Sequence, residues 1–357
     1  MLKKNFSTLS SCLKMNSLIT TGLSHFISFF TFILCSIFFN SNNFRACQAT
    51  ILRNRGIILP ISPELLNEKM LYRSPSIRPI YVIGHMANSI KTVNDFLDLG
   101  ANAIEADVTF AANGTATKVF HGLLCDCFRN CLETEDFEVF LRYLRSLTEQ
   151  ESQSYDERLV LLLLDLKMID LSDRAKAIAG EDIAYKLINN LYTSDHGGGL
   201  NPLNVILGLS STQDVDFVRG FKEVFNHLGV DGLNKYIGWD VGKNENIDDI
   251  FQLWQDADVG PNIWQGDGIT NCLSPARGYR RLSTLLDNRN NGQTLKKVYR
   301  WTVDLKTELR ESLGFGVDGI ITNQPNYLRD VLQEHPFTEN YRIATKSDNP
   351  WNRIADE

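Results

Sequence analysis

The sequence predicts an α/β fold closed into a (β/α)8 TIM barrel, and three observations carry that expectation. From residue 79 onward there are eight short apolar runs, at 79–84, 103–110, 159–166, 204–209, 235–239, 262–265, 297–303 and 317–322. Amphipathic stretches lie between them, and polar, chemistry-bearing residues gather where the runs end. Near-continuous apolar strands belong to a parallel sheet covered on both faces, and eight strand–helix units in about 270 residues suit a closed cylinder. A doubly wound open sheet is the competing arrangement.

The first run, Tyr81-Val82-Ile83-Gly84, ends on His85, and a helix is expected over 92–99. The second carries Glu105 and Asp107, two apart, so both carboxylates leave one face of a strand and can hold one ion. Residues 111–131 are too turn-rich for a helix; Asn113-Gly114 reads as a hairpin tip, in a loop above the barrel mouth that carries His121. Asn113-Gly114-Thr115 is also a glycosylation acceptor sequence, and the turn is the favoured reading. The third run closes on Asp165 and Lys167, repeating the spacing of two. Helices are expected over 136–147, 173–191, 214–228, 247–257, 279–286 and 305–313, with Trp264 and Asn323 at the ends of the intervening runs.

The amino terminus differs in kind. Lys3, Lys4 and Lys14 precede an apolar stretch over about 18–39, and the first acidic residue is Glu64. That is the pattern of a secretory signal peptide, here assigned to 1–49, with an uncleaved membrane anchor as the alternative. Either exports the body of the protein, and secretion to the extracellular space is the expectation. Without residues 1–49 the net charge moves from -7 to -11, because Lys3, Lys4, Lys14 and Arg45 leave with them. An acidic domain repels nucleic acid and anionic surfaces. Four cysteines remain, Cys125, Cys127, Cys131 and Cys272, and in an exported chain they suggest two disulfides. Cys125 and Cys127 sit too close for easy mutual bridging, so Cys125 with Cys131 and Cys127 with Cys272 is the expected pairing; zinc is the alternative.

Glu105, Asp107 and Asp165 are the donor set a hard divalent cation takes, Mg²⁺ above all. His85 and His121 are the expected proton carriers, since imidazole donates or accepts near neutral pH. His196, His227 and His335 are read as structural. Lys167 is placed to neutralise a phosphate oxygen, and Trp264 with Asp267 to hold a quaternary ammonium. No glycine fingerprint for a dinucleotide, no Walker sequence and no Gly-x-Ser-x-Gly elbow is present, which argues against nucleotide binding and serine hydrolysis.

The strings GHMANS, LGANAIEADVTF, HGLLCDCFRNC, LVLLLLDLK, IWQGDGITNC and ATKSDNPW together resemble the phospholipase D toxins of sicariid spiders, also called sphingomyelinases D or dermonecrotic toxins. The resemblance runs from about Arg78 to the C-terminus. It implies a barrel like that of glycerophosphodiester phosphodiesterases, a Mg²⁺ ion, and release of the head group from sphingomyelin-like sphingolipids and lysophospholipids while the substrate's own hydroxyl attacks phosphorus. The product is a cyclic phosphate, and the enzyme a lyase. The resemblance matches His85 and His121 to the catalytic pair, Glu105, Asp107 and Asp165 to the metal ligands, and Lys167, Trp264, Asp267 and Asn288 to substrate contacts. It further implies a propeptide at 50–78, one catalytic domain at 79–357 and a barrel plug at 344–351. Gly266, Asn262, Gln324 and the stretch 239–242 depart from the usual pattern and leave choline and ethanolamine head groups both open. A monomer acting at membrane or lipoprotein surfaces, with no nucleic-acid or nucleotide partner, completes the expectation. The alternatives are a glycerophosphodiester phosphodiesterase and a catalytically silent secreted lipid-binding protein.

Overall fold

The computed structural model describes residues 77–122, 125–193, 203–292 and 294–353. The chain divides into a unit of residues 1–67 and a unit of residues 68–357, and every described residue lies in the second. The signal-peptide or anchor segment, nearly all of the expected propeptide, and His196 fall outside the described residues. Among those described, no helix is long and apolar enough to cross a membrane.

Eight parallel strands form a closed ring. They are β1 (Arg78–Gly84), β2 (Ala103–Phe110), β5 (Leu161–Lys167), β6 (Asn204–Leu209), β7 (Ile237–Val241), β8 (Ile263–Gly268), β9 (Leu295–Trp301) and β10 (Gly319–Thr322). Each pairs with the next, β10 pairs with β1, and Ile83↔Ala103 with Gly84↔Ile104 joins β1 to β2. The open doubly wound sheet is thereby excluded. The helices α1 (Ile90–Leu99), α2 (Phe137–Thr148), α3 (Asp173–Lys186), α4 (Val215–Leu228), α5 (Ile247–Ala257), α6 (Arg280–Asn291), α7 (Lys306–Phe315) and α8 (Pro325–Leu332) follow the strands, with α9 (Phe337–Asn340) and a short β11 (Tyr341–Ile343) closing the order. Several helices start on a side-chain cap: Ser89 accepts from the Thr92 N–H and Asp136 from those of Glu138 and Val139.

Strand alternation sorts the core into two parts. Tyr81, Ile83, Ala103, Leu161, Leu163, Ile206, Trp264, Tyr299 and Ile321 point into the barrel, while Ile80, Val82, Ile104, Leu162 and Leu164 face the helices. Ala344 and Trp351, from the C-terminal segment, join the interior group at the end where the strands begin. The Trp351 ring lies over Gly238, where a Cβ would come within 2.3 Å of it. Only glycine leaves room for the ring.

Most strand and helix ends shift by a few residues from the sequence reading, and two of the shifts bear on the barrel. The body begins no later than Arg78, which starts β1 and whose guanidinium donates to the Gly316 carbonyl at 2.7 Å. Lys235 and Tyr236 belong to a 3-10 turn, Asp231–Tyr236, that delays β7 to Ile237. The hairpin stands where Asn113-Gly114 placed it, because β3 (Ala116–Phe120) runs antiparallel to β2 and Gly114 takes a φ of 94°. A further strand, β4 (Thr134–Asp136), pairs with β3. The loop between them carries His121 and three of the cysteines.

Candidate active site

The C-terminal ends of β1, β2 and β5 place five of the expected residues side by side. One carboxylate oxygen each from Glu105, Asp107 and Asp165 lies within 4.8 Å of the others. The strand pairing requires this, since Asp107 is directly opposite Asp165 and Glu105 is one alternate position below on the same face. Lys167, the last residue of β5, sets its ammonium 2.7 Å from Asp107 Oδ1 and 2.6 Å from Asp165 Oδ2.

Three carboxylates face one ammonium. Burial and the neighbouring Asp107 push the Glu105 carboxyl up to about 8, against the charge of His85. Burial would raise Asp107 too, but the charges of Lys167 and His121 and the bond from Asn88 hold it below its usual value. Lys167 is itself desolvated, yet Asp165 and Asp107 raise it well above its usual value. An all-oxygen donor set short of positive charge fits a hard divalent cation and explains why so much acidic charge is tolerated in the barrel. The segment after β1 holds these groups in place: the Met86 N–H donates to Glu105 Oε2 at 2.6 Å, and Met86 adopts a φ of 51° to do so.

His85 stands beside the acidic group, its Nε2 3.9 Å from Glu105 Oε2. On its other side Nδ1 is 3.0 Å from Asp126 Oδ2 and 3.2 Å from Asn323 Oδ1. Burial alone would lower its pKa; Asp126, Glu105 and Asp107 outweigh burial and push it up to about 9. Asp126 is held the opposite way, well below its usual value, as the bond and charge of His85 and the bonds from Thr270 and Asn323 overcome desolvation. His121 sits near enough to Asp107 for its charge to act there, and its Nδ1 approaches the Gly122 carbonyl at 3.3 Å. The two imidazoles thus flank the carboxylate group on the loops after β1 and β3.

The disulfides Cys125–Cys131 and Cys127–Cys272 are both present, so zinc ligation by these sulfurs is excluded. They tie the loop after β3 to itself and to the loop after β8, and Asp126 lies between two of the bridged cysteines.

Three expected substrate contacts are not at the mouth. Trp264 is the second residue of β8, at the opposite end of the barrel; its ring is wholly buried against Tyr81 and Tyr299, and its indole N–H donates to the Pro350 carbonyl at 3.0 Å. Asp267, three positions on, projects to the other face of the strand, where Arg277 holds it at 2.5 Å and Arg281 at 3.6 Å. A tryptophan and an acid three apart on a strand cannot face the same ligand. Asn288 lies within α6 and donates back to the Thr284 carbonyl at 2.9 Å.

The mouth holds others instead. Trp301 ends β9, packs partly buried on the interior group, and leaves the rest of its ring exposed. Asp304 accepts from the Asn323 side chain at 2.9 Å and from Asn271 at 2.8 Å, so Asn323 joins Asp304 to His85 and Asp126. The Trp-x-x-Asp spacing of 264–267 recurs at 301–304, and what separates the two is position in the folded strand: Trp264 is the second residue of β8 and Trp301 the last of β9. Nothing local in the sequence marks Asp126, because its partners His85 and Asn323 are 41 and 197 residues away.

A barrel with three converging carboxylates, two nearby imidazoles and a lysine at its mouth has the parts that a phosphodiester-cleaving enzyme uses. A profile described as Dermonecrotic toxin SPH matches residues 75–351. Dermonecrotic toxin Hl-PLD1 of Hemiscorpius lepturus is 40% identical over 318 residues, covering 88% of this chain and 96% of that protein. Dermonecrotic toxin SPH of Ixodes scapularis is 41% identical over 283 residues, covering 78% and 77%. The chain belongs to the dermonecrotic toxin family. Among solved structures, a glycerophosphoryl diester phosphodiesterase from Parabacteroides distasonis is similar at a TM-score of 0.46 and 12% identity, over 80% of this chain and 95% of that one. The barrel rests on its own strand pairing, not on that loose likeness.

Proposed function

We propose that the protein is a secreted, Mg²⁺-dependent phospholipase D-type lyase that removes head groups from sphingomyelin-like sphingolipids and lysophospholipids and leaves a cyclic phosphate. The convergence of Glu105, Asp107 and Asp165 within 4.8 Å carries this reading. Those three would hold Mg²⁺, which supplies positive charge to the phosphoryl oxygens and compensates the charge that builds there. Lys167 adds a second positive charge on the same side.

The lipid's free hydroxyl attacks phosphorus. One imidazole of the His85 and His121 pair takes its proton, the bond from phosphorus to the head-group oxygen breaks, and the other imidazole protonates that oxygen. Cyclic phosphate and free alcohol result, with no water consumed. Asp126 and Asn323 orient His85 for its part. Trp301, not Trp264, offers a partly exposed ring to a quaternary or primary ammonium head group. Two disulfides fit an oxidising compartment, in keeping with export by the amino-terminal 49 residues, a propeptide ending just before the barrel, and a monomeric mature form.

Incubation of the purified protein with sphingomyelin, with and without chelator, followed by phosphorus NMR, tests the proposal. Chelator-sensitive cyclic ceramide phosphate is the expected product. A linear phosphate would assign hydrolysis in place of lyase chemistry, and no turnover on any sphingolipid or lysolipid would reject both.

A further inference from the structure

We infer that the loop closed by Cys125 and Cys131 docks the enzyme on a zwitterionic phospholipid surface, with Phe128 inserted among the acyl chains and Leu132 beside it. The inference rests on the lipid reading above and names how the substrate's membrane is met. Among the described residues the three most exposed large apolar side chains are Phe128, at full exposure, Ile169 at 70% and Leu132 at 61%. All three sit on loops at the mouth: Phe128 and Leu132 between β3 and β4, and Ile169 two residues beyond the end of β5. The other exposed apolar side chains are less exposed and mostly scattered over the helices and the amino-terminal end. Single exposed residues are ordinary, but the three barest apolar side chains gathered at the rim of one site form an apolar edge of the kind a lipid surface covers.

The loop is built to hold Phe128 out. Its φ of 64° is a left-handed backbone that a phenylalanine avoids, and both disulfides anchor its neighbours. The Cys127 N–H donates to Asn271 at 2.9 Å, and Asn271 returns a bond to the Cys127 carbonyl at 3.1 Å. A pre-formed tip loses little conformational freedom on insertion. Charge selects the kind of surface. Arg129, the next residue, turns inward to the carbonyls of His85 and Met86 at 3.0 and 3.3 Å, so it offers no cation to lipid phosphate. Glu133, Glu135 and Asp136 follow at the loop's exit, on a chain whose net charge is -11 once residues 1–49 are removed. Such a tip enters a neutral interface through apolar contact and gains nothing from anionic lipid. Insertion brings Asp126, two residues from Phe128, and hence His85, to the membrane surface.

The test uses vesicles of phosphatidylcholine and sphingomyelin with the chelator-treated secreted protein, free of residues 1–49, so that binding is read without turnover and without the apolar leader. Phe128→Ala combined with Leu132→Ala is expected to lower vesicle affinity on the order of tenfold, leaving turnover of lysophosphatidylcholine below its critical micelle concentration unchanged. The indole of F128W is expected to be quenched by brominated phosphatidylcholine, and phosphatidylserine is expected not to tighten binding. Native affinity in the double variant, an unquenched indole, or a tenfold gain from phosphatidylserine overturns the inference. Binding through Phe128 by a protein that cleaves no lipid would instead sink the lyase reading and leave the docking surface standing.

Discussion

Asn88 and Asp107 exchange two hydrogen bonds across the mouth of the barrel: the Asn88 amide donates to Asp107 Oδ2 at 2.7 Å, and its Oδ1 accepts the Asp107 N–H at 2.9 Å. The pair fixes, from the adjacent loop, both the backbone and the carboxylate of Asp107, which is proposed above as a cation ligand. Substituting Asn88→Ala frees that carboxylate to rotate and is expected to weaken Mg²⁺ binding by about 10–100-fold. Calorimetric titration of Mg²⁺ into native and variant protein checks this; equal affinities would make the pair a purely structural contact.

Trp264 and Trp301 are separated by a pair of substitutions. Trp264→Ala empties a wholly buried site and is expected to cost about 3–5 kcal/mol of stability, seen as a fall in the denaturant midpoint. Trp301→Ala, partly exposed at the mouth, is expected to lose less stability but to raise KM for choline lipids several-fold, as removal of a cation–π face does. A KM effect at Trp264→Phe with none at Trp301→Ala would return the head-group pocket to β8.

Asp126→Asn keeps the shape of the group beside His85 and removes its charge. The imidazole loses the acceptor that orients it, and kcat is expected to fall by roughly 10²-fold with KM little changed. Steady-state kinetics on one lysolipid suffices. Unaltered kcat would show that Asn323 alone positions the ring.

Acid tests the closure at the far end of the barrel. Asp348 is bound by the Arg342 guanidinium and by the Thr345 N–H, which together hold its carboxyl down to about 2 despite partial desolvation. A carboxyl depressed in the folded state contributes stability above its unfolded value near 4, and that contribution disappears as pH falls from about 4 to about 2. Asp348→Asn is therefore expected to be less stable than the native chain at pH 7 and to converge with it near pH 2 in thermal melts. Parallel curves across that window would refute the assignment.

The α/β alternation, the eight strands, the carboxylates of Glu105, Asp107 and Asp165 and the position of Lys167 were all legible from residue 79 onward, because each depends on spacing within one or two strands. A period of two puts Glu105 with Asp107, and Asp165 with Lys167, whatever the rest of the chain does. The same rule, applied to Trp264 and Asp267, shows that three positions separate faces, and there the sequence reading went astray. Asn288 went with them, since a helix position gives no sign of which end of the barrel it occupies.

What the sequence determined by itself is the chemistry available: which acids, imidazoles and sulfurs the chain carries, and which share a strand face. Closure of β1 onto β10 and β2 decided which of them meet. His85, Asp126, Asp304 and Asn323 come from four separate loops and have no common period, so no local rule joins them. They meet because a closed ring of parallel strands brings every strand-to-helix loop to one rim, and that convergence is a property of the cylinder rather than of any segment in it.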